Sequence, residues 1–152
     1  MNSILIAYAT MTGNTSTVAE AMVEHLGSKH TNLQTKLIDM AELPPKDILS
    51  YDLVVLGSST WDDGDVNQVA REFLLKLHQD CSDLSGHKFA IFALGDNFYP
   101  EFCKAADVLE KNIAELGGQV IGEALKLDGF PDDDTLQSAN NWLDTIISEA
   151  GK

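Results

Sequence analysis

The stretch Ile4-Leu5-Ile6-Ala7-Tyr8, followed closely by Thr10-Met11-Thr12-Gly13-Asn14-Thr15, decides the fold. A short, continuous apolar run reads as a strand covered on both faces, as in a parallel sheet. It breaks into hydroxyl residues and one glycine, and an apolar-periodic helix opens directly behind. A strand, polar loop and helix in that order make a cradle for a phosphate. The loop holds no Lys or Arg. Backbone N–H groups, the side chains of Thr10, Thr12, Asn14 and Thr15, and the positive end of the helix dipole would therefore hold the anion alone. That suits a phosphate that stays bound and is never transferred. A bare helix cap is the plainer alternative, but a cap needs only one such side chain.

Working outward, apolar runs recur at residues 3–8, 33–38, 53–57 and 88–94, with a weaker pair at 119–121 and 124–127. Helical patterns lie between them. Val18, Met22 and Leu26 share one face, with Gly27 expected as the C-cap. Val69, Phe73 and Leu77 repeat the pattern, and Val108, Leu109, Ile113 and Leu116 build another helix ended by Gly117-Gly118. A last helix starts at Asp132-Asp133-Asp134, which supply a cap and dipole-favourable charge, and presents Leu136, Leu143, Ile147 and Ala150. Pro44-Pro45 interrupts the segment before residue 53, where only a short turn is expected. Strand and helix alternate about five times, which gives a three-layer α/β/α sandwich with right-handed crossovers. Ligands in such sheets sit beyond the C-terminal strand ends, at the switch in strand order. The loops after Tyr8, Gly57 and Leu94 are therefore the ones that matter.

Composition narrows the function classes. At 152 residues and 44% hydrophobic content the chain fits one domain, residues 1–152, with a real core. Its apolar runs are too short to span a bilayer, and no charged-then-apolar leader precedes Ile4, so a cytoplasmic protein without a membrane role is expected. Cys81 and Cys103 form no CxxC pair, and the four histidines show no ligand spacing, so no metal is expected. The net charge of −14 argues against nucleic acid, whose backbone needs Lys and Arg. It either keeps the protein soluble or steers docking onto basic partners. Other phosphate motifs fail on particular residues. A Walker loop needs Gly-Lys, and the first Lys is Lys29; a dinucleotide fingerprint needs three glycines, and only Gly13 is present; a receiver domain needs early acids, and the first is Glu20. No Ser-His-Asp or Cys-His order is evident.

The two later loops each carry an aromatic residue in a polar setting: Ser58-Ser59-Thr60-Trp61-Asp62-Asp63-Gly64-Asp65, and Gly95-Asp96-Asn97-Phe98-Tyr99-Pro100-Glu101-Phe102-Cys103. Core packing explains such residues poorly. Two aromatic plates beside a phosphate cradle fit a flat heteroaromatic ring linked to a phosphate. At this point the chain resembles the flavodoxins along its whole length. Thr10-x-Thr12-Gly13-x-Thr15, Ser58-x-Thr60-Trp61 and Gly95-Asp96-x-x-Tyr99-x-x-Phe102-Cys103 stand in that family's order and spacing. Too little chain follows Gly118 for the insertion of the longer subgroup, so the resemblance is to the short-chain type.

The resemblance implies a five-stranded parallel sheet in the order 2-1-3-4-5 and a tightly, non-covalently bound FMN. Thr10, Thr12, Gly13, Asn14, Thr15 and Ser58 would hold its phosphate, and Thr60 would position the ribityl chain. Trp61 would cover the inner ring face and Tyr99, chosen over Phe98 by the family's spacing, the outer one. Asp96 and Cys103 would meet the pyrimidine edge. Met11, Ser59, Asp62, Leu94, Gly95 and Phe102 complete the implied set. Trp142 is read as core, Cys103 as a contact rather than a redox group, and Cys81 as inert.

An electron added to such a ring meets the carboxylates of Asp62, Asp63, Asp65, Asp96 and Glu101. One carboxylate ~6 Å away at an effective dielectric of ~20 opposes that charge by about 3 kcal/mol, an upper bound for a solvent-exposed group. A low-potential one-electron carrier is expected, shuttling between a basic-faced reductase and acceptor enzymes on its acidic rim, and not an enzyme with its own substrate. Asp62 departs from the glycine usual after this Trp, which adopts positive φ freely, so a weaker hold on the singly reduced ring is expected. The alternatives are an FMN-dependent quinone or nitro-compound reductase, which would need an open ring face, and an acidic accessory docking protein without flavin. A fragment of a larger two-flavin reductase is not expected, because the chain starts at Met1 and its last helical pattern runs almost to Lys152. A monomer is expected from the charge and the lack of an apolar patch.

Overall fold

A computed structural model of the protein describes residues 1–10, 13–60, 67–95, 104–128 and 130–151. In chain order the elements are β1 (Ser3–Ala9), α1 (Asn14–Lys29), β2 (Gln34–Asp39), two short 3-10 helices (Met40–Glu42 and Pro45–Ser50), β3 (Leu53–Ser59) and α2 (Gln68–Asp80). They continue as β4 (Lys88–Gly95), α3 (Lys104–Glu115), β5 (Gln119–Val120), β6 (Leu125–Asp128) and α4 (Asp133–Ala150). Every strand pairing is parallel, and the order is β2-β1-β3-β4-β5, with β6 also on β4. The sandwich and strand order read from the sequence are those observed.

Alternation along the strands builds the two flanking layers. Leu5, Ala7, Val54, Leu56, Phe89 and Ile91 face α2 and α3, where Phe73, Leu77, Leu109 and Ile113 meet them. Ile4, Ile6, Leu53, Val55, Ala90 and Phe92 face the opposite way onto Val18, Met22 and Leu26 of α1 and Leu143 and Ile146 of α4. A strand whose side chains are buried on both sides has no polar face, which is why these runs are continuously apolar. Gly57 is the exception that fits: it pairs with Phe92 across the sheet, and a Cβ there would lie 2.0 Å from the Phe92 ring.

Two expectations are corrected. The sheet has six strands rather than five, because its edge position is split. β4 advances three residues from Phe89 to Phe92, while its partner advances five, from Val120 to Leu125. The two surplus residues form a kink at Gly122, whose φ of +64 turns the chain out of the extended conformation. Gly27 does not cap α1. The helix runs on to Lys29 and closes with the His30 N–H on the Leu26 carbonyl, 2.8 Å. The reason is tertiary: Lys29 and His30 are held by Asp144 of α4, at 2.8 and 3.1 Å, so the last turn stays wound.

Candidate functional site

Strand order reverses between β1 and β3, so their C-terminal ends and the adjacent end of β4 define the crevice. The register makes the neighbourhood explicit. Ala9, just before Thr10, pairs with Ser58; Ser58 pairs with Ala93, and Ser59 with Leu94. The Thr60 N–H donates to the Leu94 carbonyl at 2.8 Å. Thr10, Ser58, Ser59, Thr60, Leu94 and Gly95 therefore stand side by side on one sheet edge, although they come from three distant parts of the chain.

The first loop folds as its glycine allows. Gly13 has φ +91, a left-handed conformation costly for any side-chain-bearing residue, and its N–H donates to Thr10 Oγ1 at 3.0 Å. Its carbonyl accepts the Thr17 N–H at 3.0 Å and the hydroxyls of Ser16 and Thr17 at 2.8 and 2.9 Å. The amides of Asn14, Thr15 and Ser16 precede that first helical bond, so they have no intrahelical acceptor and point out of the helix start. No acidic residue occupies the first turn. Thr15 is 1% exposed, and its Oγ1 has no hydrogen-bond partner among the described residues. A buried hydroxyl without a partner costs about 1–3 kcal/mol, and here it sits among outward amide donors. Donors without acceptors, at the positive end of a dipole, match an anion of several oxygens such as a phosphate.

A second orphan lies across the crevice. Thr60 Oγ1 is also buried, without a partner among the described residues. Ser58 behaves differently: it is fully buried, its hydroxyl donates to the Ser59 carbonyl at 2.8 Å, and it lies 3.4 Å from the Asn67 N–H. Its proton is thus used within the protein. The residue that sequence reasoning missed is Asn67, 2% exposed. Its Nδ2 donates to Ser59 Oγ at 3.1 Å, and its Oδ1 caps α2 by accepting the Val69 N–H at 2.8 Å. It ties the start of α2 to the end of β3. An Asn directly ahead of the Val69, Phe73 and Leu77 periodicity was the available signal.

Met11, Thr12, Trp61, Asp62, Asp63, Asp65, Asp96, Phe98, Tyr99, Glu101, Phe102 and Cys103 lie outside the described residues. Of the other residues weighed, Trp142 packs on the α1/α4 side of the core, edge-on to Phe92 at 6.5 Å, with its indole N–H on the Glu123 carbonyl at 2.8 Å. Cys81 is buried, and burial, helped by Asp80, pushes its thiol up, which disfavours the reactive thiolate. Near the crevice, burial raises the Tyr8 phenol, and the carboxylates of Asp39, Glu20 and Glu42 raise it further. Among the described residues, no group of three or more His, Cys, Asp or Glu could hold a metal ion, and no helix is long and apolar enough to cross a membrane.

Comparison with known proteins gives the same answer as the geometry. The family model described as "Flavodoxin" matches residues 6–142. A flavodoxin of Maridesulfovibrio salexigens is 34% identical over 140 residues, 91% of this chain and 94% of that protein. The solved structure of oxidised flavodoxin 2 from Bacillus cereus superposes with a TM-score of 0.88 at 33% identity, covering 96% of this chain and 98% of the other. The flavodoxin of Fusobacterium nucleatum, solved with flavin mononucleotide bound, shares the fold at a TM-score of 0.82 and 22% identity, over 98% and 99% of the two chains. Proteins of this kind bind FMN and carry electrons between redox partners. The chain belongs to the flavodoxin family.

Proposed function

We propose that this chain is a low-potential, one-electron carrier that holds FMN non-covalently and shuttles between a basic-faced reductase and acceptor enzymes in the cytoplasm. The observation that carries the reading is the pair of partnerless buried hydroxyls, Thr15 Oγ1 and Thr60 Oγ1, beside a left-handed glycine at a helix start. A buried hydroxyl left unpaired calls for an explanation, and a ligand with oxygen and nitrogen atoms in the crevice supplies one for both.

When bound, FMN supplies a ring that accepts and releases one electron at a time. The chain supplies the rest. Thr10, Thr12, Gly13, Asn14 and Thr15 hold the phosphate through hydroxyls and helix-start amides. Residues 10–15 include no Lys or Arg, so hydroxyls and amides of this loop would meet the phosphate's charge without neutralising it. Thr60 donates to the ribityl chain, and Ser58, Ser59 and Asn67 hold the start and end of the loop that carries Trp61 and Asp62. Leu94, Gly95, Asp96, Tyr99, Phe102 and Cys103 form the opposite wall, and the two aromatic side chains exclude water from the ring. The net charge of −14 opposes a further electron on the ring and favours a low potential. Transfer without substrate turnover follows from covering both ring faces.

Anaerobic reductive titration of the purified protein, followed by visible absorbance, tests this. Yellow protein reduced in two resolved one-electron steps is the expected result. A single two-electron bleach with turnover of NAD(P)H by the isolated protein would replace the carrier with a reductase. Colourless protein that takes up no added FMN would overturn the flavin assignment.

A further inference from the structure

We propose that Phe130 is an apolar anchor for electron-transfer partners, inserted into an apolar socket on a protein surface ringed by Lys and Arg. The proposal rests on the carrier reading above and adds a residue and a face to it. Phe130 is 74% exposed, the most exposed large hydrophobic side chain among the described residues, ahead of Leu75 at 60%, Met1 at 40% and Leu49 at 39%. Exposed apolar residues scattered singly need no explanation. Phe130 differs from the others in its position, its support and its surroundings.

Its position is the rim of the crevice. β6 ends at Asp128, which pairs with Gly95, the last residue of β4. Strand spacing and the reach of two residues place Phe130 within about 12 Å of Gly95. Gly95 follows Leu94, which pairs with Ser59 at the crevice edge, so a partner seated on Phe130 also covers that side of the crevice. Met1 and Leu49 lie at the other end of the sheet, together with Asp52 and Lys88.

Its support is firm on the helix side. The Phe130 carbonyl accepts the Asp132 N–H at 2.9 Å, and Pro131 is buried. Asp132 in turn takes the N–H and the hydroxyl of Thr135, both at 2.9 Å. With the backbone held on this side, only the two side-chain torsions of Phe130 are left to be ordered on docking, a low cost for the area an aromatic ring buries.

Its surroundings select the partner's charge. Asp132, Asp133 and Asp134 are all exposed, and the cation nearest in sequence, Lys126, is paired with Asp107 at 3.5 Å. A second copy of this chain would bring like charges together at a net −14 each. A basic surface is the complementary one, with the carboxylates setting encounter and the ring setting residence.

The test uses a basic ferric c-type cytochrome as probe and the FMN-loaded, oxidised protein, so that binding is read without electron transfer. Dissociation constants are measured calorimetrically at about 20 mM and about 200 mM salt, between which surface charges become screened. Phe130→Ser is expected to weaken binding about tenfold at both salts, and Phe130→Tyr to restore it. Asp133→Asn with Asp134→Asn weakens binding at low salt only, and Leu75→Ser changes neither value. A Phe130→Ser constant within about twofold of the parent, an equal loss in Leu75→Ser, or a parent that does not bind at either salt overturns the proposal. Failure of the protein to take up FMN, read separately by flavin fluorescence, overturns the carrier reading instead. The same titration on the unloaded chain then still decides the role of Phe130.

Discussion

Thr15 buries a hydroxyl that gains nothing from the protein around it, and that makes its removal informative. Thr15→Val keeps the shape and deletes the orphan. The flavin-free protein is expected to be as stable as the parent or up to about 1–2 kcal/mol more stable in urea unfolding. FMN affinity, followed by fluorescence quenching, should fall about 10-fold to 100-fold, the cost of one to two charge-assisted hydrogen bonds. Stability and affinity moving apart is the signature of a residue kept for its ligand; a joint fall would assign Thr15 to the scaffold. Asn67 makes the opposite case. Asn67→Ala removes the α2 cap and leaves the Ser59 hydroxyl without its donor, so a loss of about 1–3 kcal/mol is expected in the same unfolding experiment, with or without flavin. The Thr-rich loop could be read from residue types. The Asn67 bridge could not, because it joins residues eight apart through a strand end that only the folded sheet positions.

At the scale of elements, two glycines do different work. Gly57 sits mid-strand with its Cβ position inside the Phe92 ring, so Gly57→Ala must displace Phe92, which in turn meets Trp142. A loss of about 1–3 kcal/mol is expected, read as a lower urea midpoint with an unchanged slope. Gly117 ends α3 with φ +88, its N–H on Ala114 and the Gly118 N–H on Ile113, both at 3.0 Å. This is a Schellman closure, and Gly117→Ala costs about 1–2 kcal/mol through the backbone alone. The Gly117 stop was legible because the apolar period ends there. The Gly27 stop was a misreading of the same rule, since Asp144 on another helix keeps the final turn of α1 wound. Likewise, the weak runs at 119–121 and 124–127 marked both edge strands, but the surplus residues between them show only against β4.

At the scale of the molecule, α1 and α4 are joined by one carboxylate. Asp144 takes Lys29 Nζ at 2.8 Å on one oxygen, and His25 Nε2 and His30 Nε2 at 2.9 and 3.1 Å on the other. Burial alone would raise its pKa, but hydrogen bonds from Lys29, His30 and His25 outweigh that and lower it from 3.8 to about 2. A depressed carboxylate stabilises the fold above its unfolded value, and that contribution is lost as pH falls through 3.8 toward 2. Asp144→Asn should therefore lower the melting temperature at pH 6, and the difference from the parent should close by about pH 2. The contribution is on the order of 1 kcal/mol, because the side chain is 23% exposed and screened by solvent. A gap that persists at low pH would mean the link is packing rather than charge. The chain by itself determined the layers, the strand positions, the acidic character and the Thr-rich loop after β1, because burial period, turn chemistry and charge are properties of consecutive residues. The tertiary structure alone decided that Thr15 and Thr60 have no partner among the described residues, that Ser58 spends its hydroxyl internally, that Asn67 ties the start of α2 to the end of β3 and that Phe130 is exposed. Those are statements about which groups meet across the sheet, and a hydrogen bond or an exposed ring depends on neighbours that sequence distance does not encode.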